Sequence, residues 1–326
     1  MQIDQGVDLI GDIHGCGRSL ELLLERLGYR RKAGVYRHPR RKVIFVGDVI
    51  DRGPRIRQAV EIVRTMVEAG EAEFIMGNHE YNYLCFRTRS VAEPERFLRD
   101  HTPRNQRIVQ ETLNQYAHHP EDERDLLNWI IDRPLFLEYD SLRVVHACWH
   151  AELIQKLRTE VSPTGLVDMA FVQRSTLLGS FEHRVMDRLL RGTHLRLPND
   201  EAMVSNDGFR RSFFRTKFWA KNPQKLIDVV FQPDPLPEHI AMEPLTERQL
   251  SALEYYGPHE RSLFIGHFWC EGVPEPVAPN IACLDYSAVK YGKLVAYRFD
   301  GEQLIDSDKF VWVDVDQEFP RVGALG

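Results

Sequence analysis

The sequence has no CxxC pair: its five cysteines, Cys16, Cys85, Cys148, Cys270 and Cys283, are scattered along 326 residues. That spacing argues against a zinc finger and suits free thiols in a reducing compartment better than a disulfide frame. Cys148 sits between His146 and His150 and reads as a small core residue rather than a ligand. Long apolar runs are also missing from the N-terminus, where a short stretch has Asp8 and Asp12 within or beside it. Neither a signal peptide nor a membrane-spanning helix is expected, and the expected location is the cytoplasm. Positive charge is not in excess. A formal net charge of −6 argues against a bulk nucleic-acid coat or a membrane-surface protein. The one basic cluster, Arg30, Arg31 and Lys32 with Arg37, Arg40, Arg41 and Lys42, reads as a solvated face. No internal repeat or low-complexity tract is present.

What remains is an ordinary globular composition, 43% hydrophobic, enough to bury a substantial core in one large domain or two small ones. Within it, five short apolar runs (7–10, 43–46, 74–76, 142–145 and 263–265) each end at metal-binding residue types. They lead into Gly11-Asp12-Ile13-His14-Gly15, Gly47-Asp48-Val49-Ile50-Asp51-Arg52-Gly53, Gly77-Asn78-His79-Glu80, His146-Ala147-Cys148-Trp149 and Gly266-His267-Phe268. Such runs read as buried strands, and ligands collect at the C-terminal edge of α/β sheets.

Between them, helical spacing predicts helices over 18–27, 57–68, 104–118 and 121–131. Residues 34–46 read as a hairpin, with Val35-Tyr36-Arg37 turning through His38-Pro39 into the strand before Asp48. A second hairpin is expected between 280–286 and 293–299. The segment 151–258 carries no chemical motif, mixes helical stretches with Pro233-Asp234-Pro235-Leu236-Pro237, and reads as an insertion or cap. The expected organisation is a single domain over 1–326, its core formed by 1–150 and 261–314.

Asp12, His14, Asp48, Asn78, His146 and His267 offer oxygen and nitrogen donors without a required thiolate, which suits Mn²⁺, Fe or Zn²⁺. Six donors exceed the needs of one catalytic zinc. Two ions sharing one carboxylate account for them, with Asp48 the bridging candidate. Each residue alone has a structural reading, as a turn former, a helix cap or a core histidine. Their recurrence at five strand ends favours a shared site.

These motifs, in this order, resemble the phosphoprotein phosphatase branch of the calcineurin-like metallophosphoesterases, of bacterial type. The resemblance covers 7–149 and 263–299. It implies an α/β fold, a metallophosphoesterase β-sandwich of two central mixed sheets flanked by helices, here with a mainly helical insertion. It implies two divalent ions, Mn²⁺ first and Fe or Zn²⁺ as alternatives. Asp12, His14 and Asp48 would hold one, and Asp48, Asn78, His146 and His267 the other. A metal-bridging hydroxide would attack phosphorus in line. His79 matches the family's general acid, Asp51 the carboxylate that orients it, and Arg52 a phosphate-binding arginine.

A second phosphate-binding arginine (candidates Arg191, Arg210, Arg211 and Arg215) and a tyrosine near the core's end (candidate Tyr286) are not marked by spacing. Cys148-Trp149-His150 replaces smaller residues of the family, so Trp149 either stacks on a base or packs in the core. The expected substrate is a phosphate monoester, on a protein or a small metabolite. The alternatives are a nucleotide, as a dinucleoside polyphosphate or an RNA phosphate, and binding of a phosphorylated partner without hydrolysis.

Overall fold

Strict alternation along the strand β1 (Gly6–Ile10) sends Val7 and Leu9 to one face and Ile10 to the other, as the two-residue period of a strand requires. The same alternation recurs in most long strands and builds a sandwich. The computed structural model describes residues 6–198, 201–204, 210–231, 236–290 and 292–315.

After β1 come α1 (Gly17–Arg26), β2 (Arg30–Lys32), β3 (Val35–Arg37), β4 (Arg41–Phe45), α2 (Ile56–Glu68), β5 (Ala72–Phe74), α3 (Asn78–Arg87), α4 (Pro103–Tyr116), α5 (Pro120–Ile131), β6 (Phe136–Glu138) and β7 (Leu142–Val145). The next stretch holds α6 (Ala151–Glu160), α7 (Met169–Ser175), α8 (Phe181–Arg191), β8 (His194–Arg196), β9 (Met203–Val204), β10 (Arg210–Arg211), β11 (Phe213–Arg215), α9 (Leu226–Val229), α10 (Glu238–Ala241) and α11 (Glu247–Leu250). The chain finishes with β12 (Ser262–Ile265), β13 (Ile281–Cys283), β14 (Asp285–Tyr286), β15 (Lys293–Phe299) and β16 (Phe310–Asp314).

One sheet runs β14-β15-β1-β4-β5, with β16 also on β15. Here β1, β4 and β5 are parallel neighbours while β15 is antiparallel to β1. The other runs β13-β12-β7-β6, with β12 parallel to both β7 and β13 and β6 antiparallel to β7. Val7, Leu9, Ile44, Val46, Val295 and Tyr297 of the first face Leu142, Val144, Phe264 and Ala282 of the second in one apolar cluster. Phe264 lies with its ring centroid 5.2 Å from Tyr297 and 5.6 Å from Phe299, contacts worth about 0.5–1.5 kcal/mol each beyond the area they bury. The outer faces carry helices, with the leucines of α1 and the Ile and Val of α2 packed over Val43 and Phe45. The sandwich is therefore mixed α/β, as the sequence led one to expect.

Two hairpins differ from expectation. Val35–Arg37 pairs backwards with Arg30–Lys32, because Ala33 and Gly34 both take positive φ (48° and 86°), the two-residue turn geometry that matches strand twist. The strand before Asp48 instead joins the main sheet beside β1. Likewise 280–286 does not form one hairpin arm: Ile281–Cys283 belongs to the second sheet and only Asp285–Tyr286 pairs with β15. Four expected helices are present, each within a residue or two of its bounds, the largest difference being in 104–118, which ends at Tyr116.

In the middle segment, Leu153, Phe171, Met186 and Leu190 of α6 to α8 join the large core beside the second sheet. Leu195, Phe214, Leu226, Val229 and Ile240 close a smaller core of their own. Most of the Pro-rich stretch, residues 233–235, lies outside the described residues, as do the side chains of Arg210 and Arg211. In the basic cluster, Arg30, Arg31 and Lys32 are exposed, but Arg41 turns inward to Asp8, which is also bonded by Tyr29. No described helix is long and apolar enough to cross a membrane.

Candidate metal centre

Parallel β1, β4 and β5 deliver their C-terminal ends to one edge, and parallel β7 and β12 deliver theirs to the facing edge. Asp12 and His14 follow β1, Asp48 follows β4, Asn78 and His79 open α3 after β5, His146 follows β7 and His267 follows β12. All seven are buried. His14, Asp48, Asp51, Arg52 and His267 all have positive φ, between 44° and 70°. Strained backbone of this kind costs about 1–3 kcal/mol per residue and collects where function over-determines geometry.

Asp48 Oδ2 is the hub. It lies 3.4 Å from His146 Nε2, 3.7 Å from His14 Nε2 and 4.0 Å from His79 Nε2. The other ring nitrogen of His14 donates to Ile50 O (3.0 Å) and that of His146 to Val46 O (2.7 Å), which aims each free nitrogen inward. Asn78 Oδ1 meets His146 Nε2 at 3.0 Å and His267 Nδ1 at 2.6 Å, and Asp12 Oδ2 accepts from the His267 amide.

Donor atoms of Asp12, Asp48 and His146 fall within 4.8 Å of one another, as do those of His14, Asp48 and His79. Asp12 Oδ1 and His267 Nε2 are buried polar atoms with no hydrogen-bond partner among the described residues, a costly condition unless a cation satisfies them. The donor set therefore fits divalent ions. Burial alone lowers the His146 pKa, but Asp48 and then Asp12 outweigh it and raise it to about 10. Two carboxylates thus favour positive charge at that point, which an ion supplies in place of a proton.

His79 belongs to the same group but is engaged differently. Its Nδ1 is 2.6 Å from Asp51 Oδ2, its Nε2 3.3 Å from Arg52 Nη2, and its amide donates to Asp48 Oδ1 at 2.8 Å. Burial pushes Asp51 up to about 8, opposed by the Thr112 hydrogen bond and aided by Asp48. Burial likewise draws His79 down to about 3 against the pull of Asp48. Both shifts oppose formation of an isolated buried charge.

Of the remaining predicted residues, Arg215 touches this cluster through His267, and Trp149, Tyr286 and Arg191 bond or pack against other residues. Trp149 is buried edge-on to Phe136 with the Arg143 guanidinium 4.7 Å from its ring centroid, so it packs in the core. Tyr286 is buried, and its hydroxyl accepts from the Glu275 amide. Arg191 binds Asn82 Oδ1 (2.9 Å), and Arg215 donates to His267 O (2.9 Å).

Two contributors escaped the sequence reading. Glu80 accepts from the amides of Asp48, Val49, Ile50 and Gly77, clamping two ligand loops together. Thr112 donates to Asp51 Oδ1 and accepts from its amide. Glu80 stood inside a quoted motif and could have been flagged. Thr112, 61 residues from Asp51, left no local signal.

A two-sheet sandwich with carboxylate, carboxamide and imidazole donors at facing strand ends defines a metal-centre protein of the phosphoesterase type. Residues 7–189, more than half of the chain, match the calcineurin-like phosphoesterase family, and the chain belongs to it. A bis(5'-nucleosyl)-tetraphosphatase PrpE [asymmetrical] from Oceanobacillus iheyensis is 33% identical over 153 residues, 46% of this chain and 58% of that protein. One from a Geobacillus species is 47% identical over 74 residues, 22% of this chain and 30% of that protein. The matches thus span less than two thirds of these relatives. A protein serine/threonine phosphatase from Saccharomyces cerevisiae superimposes with a TM-score of 0.51 at 13% identity, covering 95% of this chain and 79% of that one, a likeness of fold.

Proposed function

We propose that this chain is a hydrolase of phosphate esters and anhydrides, with a dinucleoside polyphosphate as its leading substrate class. The observation that carries the reading is the His79, Asp51 and Arg52 constellation set against the cluster around Asp48. Asp12, His14, Asp48, Asn78, His146 and His267 would hold two divalent ions, Asp48 shared between them, with Mn²⁺ the first choice. When bound, such ions supply Lewis acidity that activates water and neutralises charge on the phosphoryl group.

The protein's own groups handle binding and the proton. Arg52 presents planar paired donors suited to two non-bridging phosphoryl oxygens. The Asp51 and His79 pair holds one proton more than a carboxylate and a neutral imidazole would, because burial disfavours the lone anion. The 2.6 Å contact lets that proton reside on either partner. His79 Nε2, turned toward Arg52 and Asp48, is the atom that would protonate the departing oxygen.

The sequence ranks phosphate monoesters first. The tetraphosphatase relatives support placing dinucleoside polyphosphates ahead of them, with the same chemistry at phosphorus. The test is hydrolysis by metal-stripped, Mn²⁺-reloaded protein of p-nitrophenyl phosphate, bis-p-nitrophenyl phosphate, a phosphothreonine peptide and diadenosine tetraphosphate. The dinucleotide should show the highest kcat/KM. Preference for the peptide would overturn the substrate class, and no turnover with any metal would leave only binding of a phosphorylated partner.

A further inference from the structure

The turn that carries His267 is tight and is held from outside. The Phe268 amide donates back to Gly266 O at 2.5 Å around His267, whose φ is 60°, a three-residue turn of the rarer and strained hand. Side chains engage its other carbonyls. Arg215 Nη1 donates to His267 O at 2.9 Å. Two thiols converge on Phe268 O, Cys283 Sγ at 2.8 Å and Cys270 Sγ at 3.4 Å, and Cys283 Sγ also lies 3.6 Å from Gly266 O.

Backbone pairing brings these two cysteines together. Cys283 ends β13 opposite Ile265 of β12, two residues before His267. The loop that leaves His267 folds back on the same chain, since the Cys270 amide donates to Asp285 O at 2.8 Å. Of the five cysteines Cys270 alone is not buried, so a reactant from solvent meets it first, with Cys283 behind it. Burial pushes the Cys283 thiol up and the Cys270 sulfur adds to the shift, which keeps a hydrogen on Cys283 for Phe268 O.

We propose that Cys270 and Cys283 are a redox pair whose disulfide, formed by hydrogen peroxide, withdraws the support of the His267 turn and weakens metal binding. This inference rests on the metal-centre reading of the site and adds a means of regulating it. The Cys270 thiolate attacks the peroxide, the O–O bond breaks, and Cys270 becomes a sulfenic acid with release of one water. Cys283 Sγ then attacks that sulfur, an S–S bond replaces the S–O bond, and the departing hydroxide leaves as a second water with the Cys283 proton. Two thiols lose two electrons and two hydrogens, and the peroxide gains them. A disulfide has no hydrogen to donate, so Phe268 O loses both thiol donors, and the strained turn that aims His267 is free to relax.

The test treats the full, reduced, metal-stripped chain with hydrogen peroxide, maps its peptides by mass spectrometry without reductant, and measures Mn²⁺ affinity by calorimetry before and after. A Cys270–Cys283 cross-link should form, lighter by two hydrogens and reversed by dithiothreitol. Mn²⁺ affinity should fall about 10- to 100-fold in the cross-linked protein, the usual cost of disturbing a ligand's support, and return on reduction. Cys270→Ser and Cys283→Ser cannot form the link, and either one that folds should keep its own Mn²⁺ affinity through the same treatment. Oxidation that stops at single cysteines, or joins other ones, would overturn the pairing. A cross-linked protein with unchanged Mn²⁺ affinity would overturn its coupling to the centre, as would an equal loss of affinity in the serine variants. Absence of Mn²⁺ binding by the reduced protein would sink the metal-centre reading itself, and the peptide map would still decide the disulfide.

Discussion

His79 Nδ1 lies 2.6 Å from Asp51 Oδ2 with both side chains buried, and Thr112 holds the far oxygen of the carboxyl at 2.5 Å. The pair is fixed in orientation before any substrate arrives. His79→Ala should lower kcat for diadenosine tetraphosphate about 100- to 10,000-fold, the usual range for a lost general acid. The loss should be smaller for p-nitrophenyl phosphate, whose leaving group needs little protonation. Equal losses on both substrates would assign His79 to metal or phosphate binding instead.

The same pair sets a pH dependence. Asp51 titrates at 3.8 ordinarily and at about 8 in the fold, so between those values the native state holds a proton the unfolded chain has released. The Asp51 contribution to the stability of the metal-stripped protein should therefore fall as pH rises through that window and level off above it, while His79, drawn down to about 3, contributes in the opposite sense up to its ordinary value of 6.5. Asp51→Asn should remove this component of the slope and lower kcat. Chemical denaturation of both proteins between pH 4 and 9 checks it, and parallel curves would refute the raised value.

Asp48 contacts three imidazoles with a single oxygen, so it is the residue whose charge the site can least spare. Mn²⁺ added to metal-stripped protein should raise Tm, by an amount corresponding to about 2.7 kcal/mol at one hundred times Kd. Asp48→Asn should abolish most of the shift, along with turnover. Calorimetry with and without Mn²⁺ measures it, and an unchanged shift would remove Asp48 from the centre.

That the candidate site residues come together was legible because each follows a strand, where a local motif and a sheet edge coincide. Strand pairing was less legible. Nothing near Val35 declares that its partner lies behind it, apart from the Ala33-Gly34 turn. The crossing between Cys283 and Asp285, which moves the chain from one sheet to the other, also escapes periodicity, since both halves alternate as one strand would. Thr112 acts on the Asp51 and His79 pair from a segment whose local pattern is only helix. Its placement depends on tertiary packing that spacing does not encode.

Gly77 has ordinary extended geometry, φ −97° and ψ 178°, so conformational freedom does not explain it. A methyl group built there would stand 2.2 Å from Asp48 Oδ1 and 2.5 Å from the Asp48 amide. Gly77→Ala should thus leave the sheets intact while displacing the Asp48 carboxylate. Far-ultraviolet circular dichroism should be unchanged and Mn²⁺ affinity should fall about 10- to 100-fold, the usual cost of disturbing a ligand's support. Native affinity in this variant would mean that the loop yields cheaply.

Glu80 bonds four backbone amides drawn from two loops, 2.8 Å to Asp48, 2.9 Å to Val49, 3.3 Å to Ile50 and 2.9 Å to Gly77. Oε2 receives Asp48 and Gly77, and Oε1 receives Val49 and Ile50. Glutamine can reproduce one oxygen but must turn an NH₂ group toward the other pair of donors. Two amides would then face a donor instead of an acceptor. Unsatisfied buried groups cost about 1–3 kcal/mol each, so Glu80→Gln should destabilise the protein by roughly that amount or somewhat more and loosen the loop that carries Asp48. Hydrogen exchange at the Asp48 and Gly77 amides should accelerate before global unfolding does. Exchange that stays coupled to global unfolding would show that the two loops are held by their strands and not by Glu80.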